Sequence, residues 1–355
     1  YNFKSKYLFT LTMRADGSSK FPPEKKWGYF PSGAIAWKMK EESFLKNVSV
    51  ISDAKLRGSF GITGNNRIGD FDHLPRLILA DYNAGYSHGN AVPTKGAIYT
   101  SLGNSLLRWE STQQTDIGLD LGFFKERIVL NADVYRKVTS DLLLSANLPR
   151  TTGFISAYKN IGEVMNKGLE ISINTVNVKG RDFSWESSFN ISFNRNKILK
   201  LSEGEDNLQN KVSWENNYSA PLYIGKVGQP AALFYGYVFD GNYQYSDFDE
   251  VSPGKYILKG NVTTNGDSRT AIQPGDIKYK DMNGDLVVNS SDLAIIGRPL
   301  PIHTGGFSNN FNYKSFSLGV FFQWSYGNDI QNANRLIFEG NSLFRPLLNQ
   351  FSSYN

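Results

Sequence analysis

The feature that most constrains this chain is a two-residue period sustained over runs of about ten residues. In "DFSWESSFNISFN", Phe183, Trp185, Phe189, Ile191 and Phe193 share one side, while Ser184, Glu186, Ser188, Asn190 and Ser192 share the other. Successive side chains of a β-strand point to opposite faces, so such a run has one apolar and one polar face. The pattern recurs. Ile117, Leu119, Leu121 and Phe123 stand opposite Gln114, Asp116, Gly118 and Asp120; Leu56, Phe60 and Ile62 stand opposite Lys55, Arg57 and Ser59. Leu169, Ile171 and Ile173 oppose Glu170, Ser172 and Asn174, and Phe316, Leu318, Val320, Phe322 and Trp324 line one side of the last run.

A soluble sandwich alternates too. Two features favour an all-β transmembrane antiparallel barrel instead. The runs exceed the five or six residues that soluble strands average. The connections also alternate in length: 123–127, 179–182 and 313–315 are tight, whereas 64–110, 139–165 and 197–301 are long, polar and rich in Gly and Asn. Short periplasmic turns and long extracellular loops are the outer-membrane pattern. Aromatic residues gather at strand ends (Trp27, Tyr29, Phe30, Trp185, Trp324 and Tyr326), where interfacial girdles form.

Nine spans are expected, at 7–14, 28–38, 54–63, 111–122, 127–138, 166–178, 183–195, 302–313 and 316–326. Nine is odd, and an open sheet edge in lipid leaves backbone groups unpaired. Further strands are therefore expected outside this stretch. The opening "YNFKSKYLFTLTMRADG" is already patterned as a strand, as in a piece of a longer protein. No run of eighteen apolar residues is present, so no transmembrane helix is expected, and a barrel needs none.

Composition narrows the function classes. Of the 355 residues 40% are hydrophobic and 14% aromatic, enough for ordered structure. A net charge of +5 without a run of five basic residues argues against a nucleic-acid partner. The absence of cysteine leaves the compartment open. His73, His88 and His303 fall in unrelated polar segments, and the glycines form no phosphate-cradling motif, so the chain is not read as an enzyme. Lys55 and Arg57, on the lumen side, either guide anionic groups or, the favoured reading, pair with Asp116 and Asp120 of the adjacent strand.

Two candidate sites lie in the long region 197–301. In "DMNGDLVVNSSD", Asp281, Asn283 and Asp285 occupy positions one, three and five of a twelve-residue loop. The Val287 carbonyl, Asn289 (or water) and Asp292 follow at seven, nine and twelve, the hard-oxygen spacing of a Ca²⁺ loop. Leu286 stands at six, where such a loop uses Gly, and Asp rather than Glu closes it. With no flanking helices, the loop reads as a structural staple, held either by a cation or by carboxylate-to-amide hydrogen bonds alone. Val287 and Val288 are expected to pack with Ile295 and Ile296. The second candidate is a set of loop aromatics, Trp214, Tyr218, Tyr223, Tyr243 and Tyr245. Such rings either stack on a sugar or a lid protein or pack the loop against itself.

Several segments resemble one family in order. They are "MRADGSSKF" with "WGYFPSGAIAWKM", "SDAKLRGSFGITGNNRIGDF", "LRWESTQQTDIGLDLGFFKERIVLNADVYRKVTSDLLL", "NIGEVMNKGLEISI", "GQPAALFYGYVFDGNYQ", and "PGDIKYKDMNGD" with "SSDLAIIGRPLP". Together they resemble the SusC-like TonB-dependent outer-membrane transporters of the Bacteroidota. The resemblance implies a plugged barrel of about twenty-two strands, energised by TonB and capped by a SusD-like surface lipoprotein. It implies import of a bulky nutrient, a glycan or an oligopeptide. Residues 1–355 would supply part of the barrel; the plug, the TonB-contacting segment, the early strands and the final strands are not in this stretch. The competing readings are a lidless siderophore- or vitamin-type receptor, a secreted all-β adhesin or carbohydrate-binding protein, and a passive porin.

Overall fold

The computed structural model describes residues 1–79, 96–202, 204–214 and 218–332. Its main element is a ten-stranded antiparallel sheet in which every strand pairs with the next in sequence. The strands are β1 (Asn2–Phe3), β2 (Tyr7–Gly17), β3 (Trp27–Lys38), β4 (Ile51–Asn65) and β5 (Glu110–Phe123). They continue as β6 (Ile128–Ser140), β7 (Glu163–Lys179), β8 (Phe183–Lys200), β9 (His303–Tyr313) and β10 (Phe316–Tyr326). The nine expected spans are β2 to β10, and β1 adds two residues at one edge. β1 and β10 do not pair with each other, so the described sheet is an open segment of barrel wall.

Alternation becomes two chemically distinct faces once register is fixed. On one face Phe9 pairs with Ile35, Leu56 with Leu119, Leu121 with Leu130, Ile171 with Ile191, Leu169 with Phe193, and Phe189 with Phe307. Much of this face stands open: Leu11 is 90% exposed, and Phe9, Met13, Ile35, Phe60, Ile117 and Val134 are exposed too. An apolar surface of this extent is costly in water and favourable in hydrocarbon. The opposite face carries Lys55, Asp120 and Asn131 in one cross-strand row and Arg57, Gly118 and Asp133 in the next. That face is the wetted, lumen-lining one.

The connections sort as the sequence implies. β5–β6, β7–β8 and β9–β10 are joined at one end by 124–127, 180–182 and 314–315, whereas 66–109, 141–162 and 201–302 leave the other end. Loop packing there corrects one expectation. Phe30 is not a girdle residue: it lies on the lumen face, 8% exposed, edge-on to Trp109 at 5.5 Å. Trp109 also packs on Phe21, at 5.3 Å, beside a buried cluster of Phe21, Ile68, Leu107 and Leu143. Gly64 and Gly28 make room for the Phe30 ring, since a Cβ at either would lie 2.0 or 2.4 Å from its Cζ.

The long region holds two parts. Residues up to 231 belong with the sheet, including a hairpin of Asn207–Trp214 and Tyr218–Lys226. Residues 232–301 form, with 326–332, a second unit. Its core is Tyr243, Phe248, Leu258 and Ile272, flanked by the paired strands Phe248–Ser252 and Lys255–Leu258. The expected packing of Val287 and Val288 with Ile295 and Ile296 is not formed. Val288 is buried, but Val287, Ile295 and Ile296 are exposed, and the Val287 backbone bridges to Thr264.

Candidate functional site

The lumen face carries a linked set of charges built from three adjacent strands. Arg57 on β4 donates from Nε to Asp120 Oδ2 (2.9 Å) and from Nη2 to Asp120 Oδ1 (2.8 Å), a two-pronged contact across to β5. The same Nη2 reaches Asp133 Oδ1 on β6, also at 2.8 Å. Asp120 also accepts from Lys55 Nζ at 3.3 Å and from Asn131 Nδ2 at 3.0 Å. Gly118 lies directly under this set, since a Cβ there would come within 2.3 Å of Asp133 Oδ1 and 2.6 Å of the guanidinium. Asp116, the other expected partner, sits opposite Ser59 and Tyr135, and Asp133 takes its place. The arrangement neutralises its own charge and gives the wall a polar lining.

The 281–292 loop is organised by its carboxylates. Asp281 Oδ1 accepts from the backbone N–H of Asn283 (3.2 Å) and Gly284 (2.6 Å), and Oδ2 accepts from Leu286 (2.7 Å). Burial pushes the Asp281 pKa up, but these N–H bonds outweigh it and the net shift is downward. Asp285 accepts from Val287 N–H (2.8 Å) and Asn283 Nδ2 (3.0 Å). Asp292 is fully buried; its oxygens accept from Met282 N–H (2.9 Å) and Asn289 N–H (2.8 Å). Asn289 Nδ2 donates to the Val287 carbonyl at 3.2 Å. Leu286 has φ +65°, so position six does require the left-handed conformation that Gly adopts freely. Among the described residues, no three Asp, Glu or His side chains converge into a metal-holding group.

The five loop aromatics separate. Tyr243 is 1% exposed, its hydroxyl donates to the Thr263 carbonyl at 2.6 Å, and burial pushes its pKa up to about 12. It is a core residue with no face left for a ligand. Tyr245 is 70% exposed and meets Tyr256 edge-on at 5.3 Å. Tyr223 is half-buried. Trp214 and Tyr218 close the 207–226 hairpin as a register pair; their side chains lie outside the described residues. Of the histidines, His73 bonds the Lys20 carbonyl (3.0 Å) and His303 accepts from Trp324 Nε1 (3.2 Å), both structural contacts. His88 lies outside the described residues.

The family model described as "TonB dependent receptor-like, beta-barrel" matches residues 1–334. The chain belongs to the TonB-dependent receptor-like β-barrel family. It is thus a segment of an outer-membrane protein whose apolar face meets lipid, in a family of receptors and not of enzymes. It is 39% identical over 332 residues, 94% of its length, to TonB-dependent receptor P3 of Formosa agariphila. It is 36% identical over 337 residues to TonB-dependent receptor SusC of Bacteroides thetaiotaomicron. It covers only 31% and 30% of those proteins, about a third of a TonB-dependent receptor chain. Among solved structures it is similar to the RagAB peptide importer in its open-open state, with TM-score 0.71 and 26% identity, covering 96% of this chain and 33% of that one.

Proposed function

We propose that the full protein imports a bulky nutrient, a glycan or an oligopeptide, across the outer membrane. In this reading a SusD-like surface lipoprotein captures ligand with the outer loops, and TonB acts on a plug to open the path. The observation that carries the reading is the match to SusC over 92% of this chain, on a wall whose lumen face is polar. The solved neighbour named as a peptide importer supports a ligand larger than a siderophore. Here β1 to β10 act as a fixed wall, and the Arg57–Asp120–Asp133 set keeps lumen charges mutually paired. Ligands passing the Arg57 set then meet closed ion pairs and not free charge. A deletion strain tested with labelled oligopeptides and glycans checks the proposal. Loss of uptake of one class, in a TonB-dependent manner and with a surface lipoprotein copurifying, is the expected result. Uptake that is indifferent to TonB would contradict it.

The 281–292 loop is, in the same reading, a staple of its unit. A Ca²⁺ there would engage Asp281, Asn283, Asp285 and the Val287 carbonyl, with Asn289 and Asp292 closing the set. The donors fit in kind, being hard oxygens; Asp281 Oδ1 already accepts two N–H bonds, whereas Asp281 Oδ2, Asp285 Oδ1 and Asp292 Oδ2 accept one each and keep a second lone pair. Slower amide exchange at 283–287 on adding Ca²⁺, reversed by chelator, supports the cation. Exchange that is unchanged by either leaves the hydrogen-bond net as the whole staple.

A further inference from the structure

The apolar face is interrupted at one level. Arg136 on β6, Lys167 on β7 and Arg195 on β8 are directly opposite one another across adjacent strands. All three are exposed. They share the face of Val134, Leu169 and Phe193, which form the next paired row toward the short turns. Lys197, opposite Met165, adds a fourth exposed cation one row further out. Strand spacing of about 4.8 Å puts the three-residue row within roughly 10 Å. Like charges directly opposite in a sheet destabilise it. Among the described residues none of the four enters an ion pair. Arg195 Nη1 donates to the Ile302 and Asn194 carbonyls, at 2.9 and 3.1 Å, which fixes its guanidinium beside the row.

The height of the row is informative. Arg136 lies eight residues beyond Ile128, at the short-turn end of β6. At about 3.3 Å per residue and a tilt near 40° this is roughly 20 Å up an apolar band about 25 Å tall. The cations therefore stand at the edge of the hydrocarbon layer on the long-loop side, where lipid headgroups begin. Just below them an open groove of about 450 Å³ runs over Ile117, Val134, Leu169 and Phe193, with Arg136, Lys167 and Arg195 along its upper edge. An apolar channel capped by three unpaired cations is complementary to one kind of molecule, an acyl chain ending in a phosphorylated headgroup. Arginine binds phosphate through two parallel N–H bonds, and lysine adds a point charge.

We propose that this patch is a binding site for a phosphorylated lipid of the outer leaflet. Its phosphate sits on Arg136, Lys167 and Arg195, and one acyl chain lies in the groove over Val134, Leu169 and Phe193. The site rests on the membrane placement of the sheet and not on transport, so failure of the uptake assay leaves it standing.

The test uses the full-length protein in nanodiscs of zwitterionic lipid, with labelled diphosphorylated lipid A as probe. Wild type is compared with the triple variant Arg136→Ser, Lys167→Ser, Arg195→Ser and with the single variant Lys167→Gln. A heat-modifiable gel shift confirms that each is folded. The proposal expects at least tenfold weaker retention by the triple variant and an intermediate loss for Lys167→Gln. It also expects little retention of dephosphorylated lipid A and no displacement by inorganic phosphate at equal concentration. Equal retention by wild type and folded variants, or indifference to the phosphate, would overturn it. Displacement by inorganic phosphate alone would reduce the site to a free-anion site and overturn the lipid assignment. Loss of a copurifying protein with lipid retention unchanged would make the patch a protein interface instead.

Discussion

Replacing Asp120 by Asn keeps the shape of the side chain and removes its charge from the centre of the lumen network. In the native arrangement Asp120 takes two bonds from Arg57, one from Lys55 and one from Asn131. An amide in its place keeps one acceptor oxygen and turns the other into a donor facing Arg57 and Lys55, so that Asp133 is the carboxylate Arg57 keeps. Hydrogen bonds to charged groups contribute about 1.5–3 kcal/mol each when buried. The side chains involved are 16–31% exposed to a wet lumen, which reduces that figure, for the lost charge and the one lost Arg57 bond together, to about 2 kcal/mol. The control is Glu186→Gln, an exposed carboxylate on the same face that forms no ion pair among the described residues. Urea unfolding of the full-length barrel in detergent, followed by loss of heat-modifiable mobility, compares the two. The expected difference is about 2 kcal/mol, with a coupling of about 1 kcal/mol in the cycle with Arg57→Gln. A difference within about 0.5 kcal/mol of the control, or no coupling, would refute the claim that these charges stabilise one another.

Three further outcomes follow from the geometry. Glu42, in the β3–β4 connection, accepts from Lys6 Nζ (2.8 Å), Tyr7 OH (2.8 Å) and Trp37 Nε1 (3.1 Å), which hold its pKa down to about 2. A depressed folded pKa stabilises above the unfolded value near 4.5 and is lost as pH falls toward 2. The gap in unfolding midpoint between wild type and Glu42→Gln should therefore close across that window and stay constant above pH 5. Gly64→Ala forces the Phe30 ring off its seat against Trp109 and should cost about 1–3 kcal/mol with a shift in Trp emission; an unchanged spectrum and midpoint would show that the ring relocates freely. Asp281→Ala removes three backbone acceptor contacts and should speed amide exchange at 283, 284 and 286 while barrel unfolding stays within about 0.5 kcal/mol of wild type; a collapse of global stability would contradict the staple reading.

The barrel wall was legible in the sequence because a membrane sheet must present opposite chemistry on its two faces, and period two writes that demand into every strand. The ends of β5 to β10 fall within a few residues of the expected spans for this reason. What depends on register was harder. Asp116 and Asp133 are equivalent by alternation, and only the pairing of Arg57 with Gly118 and of Gly118 with Asp133 selects between them. Phe30 looked like a girdle residue because its burial is decided by Trp109, distant in sequence, and by the gap at Gly64. In the second unit the strands are three to five residues long, too short to show a period, and Tyr243 could be assigned to core only by what surrounds it. The basic row did leave a sequence signal. Arg136, Lys167 and Arg195 each break an apolar set at an in-phase position, but their coincidence at one level appears only when the strands are aligned.

The central claim is that one face of this sheet meets lipid and the other a water-filled lumen. This chain has no cysteine, so single substitutions to cysteine can report on both faces in a cysteine-free full-length background. Leu119, Ile171 and Phe189 test the lipid side, and Asp120, Glu170 and Asn190, each next in sequence or one residue before, test the lumen. In intact outer membranes, a polar maleimide small enough to enter the barrel should label the second set and spare the first. A lipid-borne quencher should reverse the order for a fluorophore attached after extraction and reconstitution. Equal labelling of the two sets, or labelling confined to the apolar positions, would contradict the barrel placement on which the rest of the account depends.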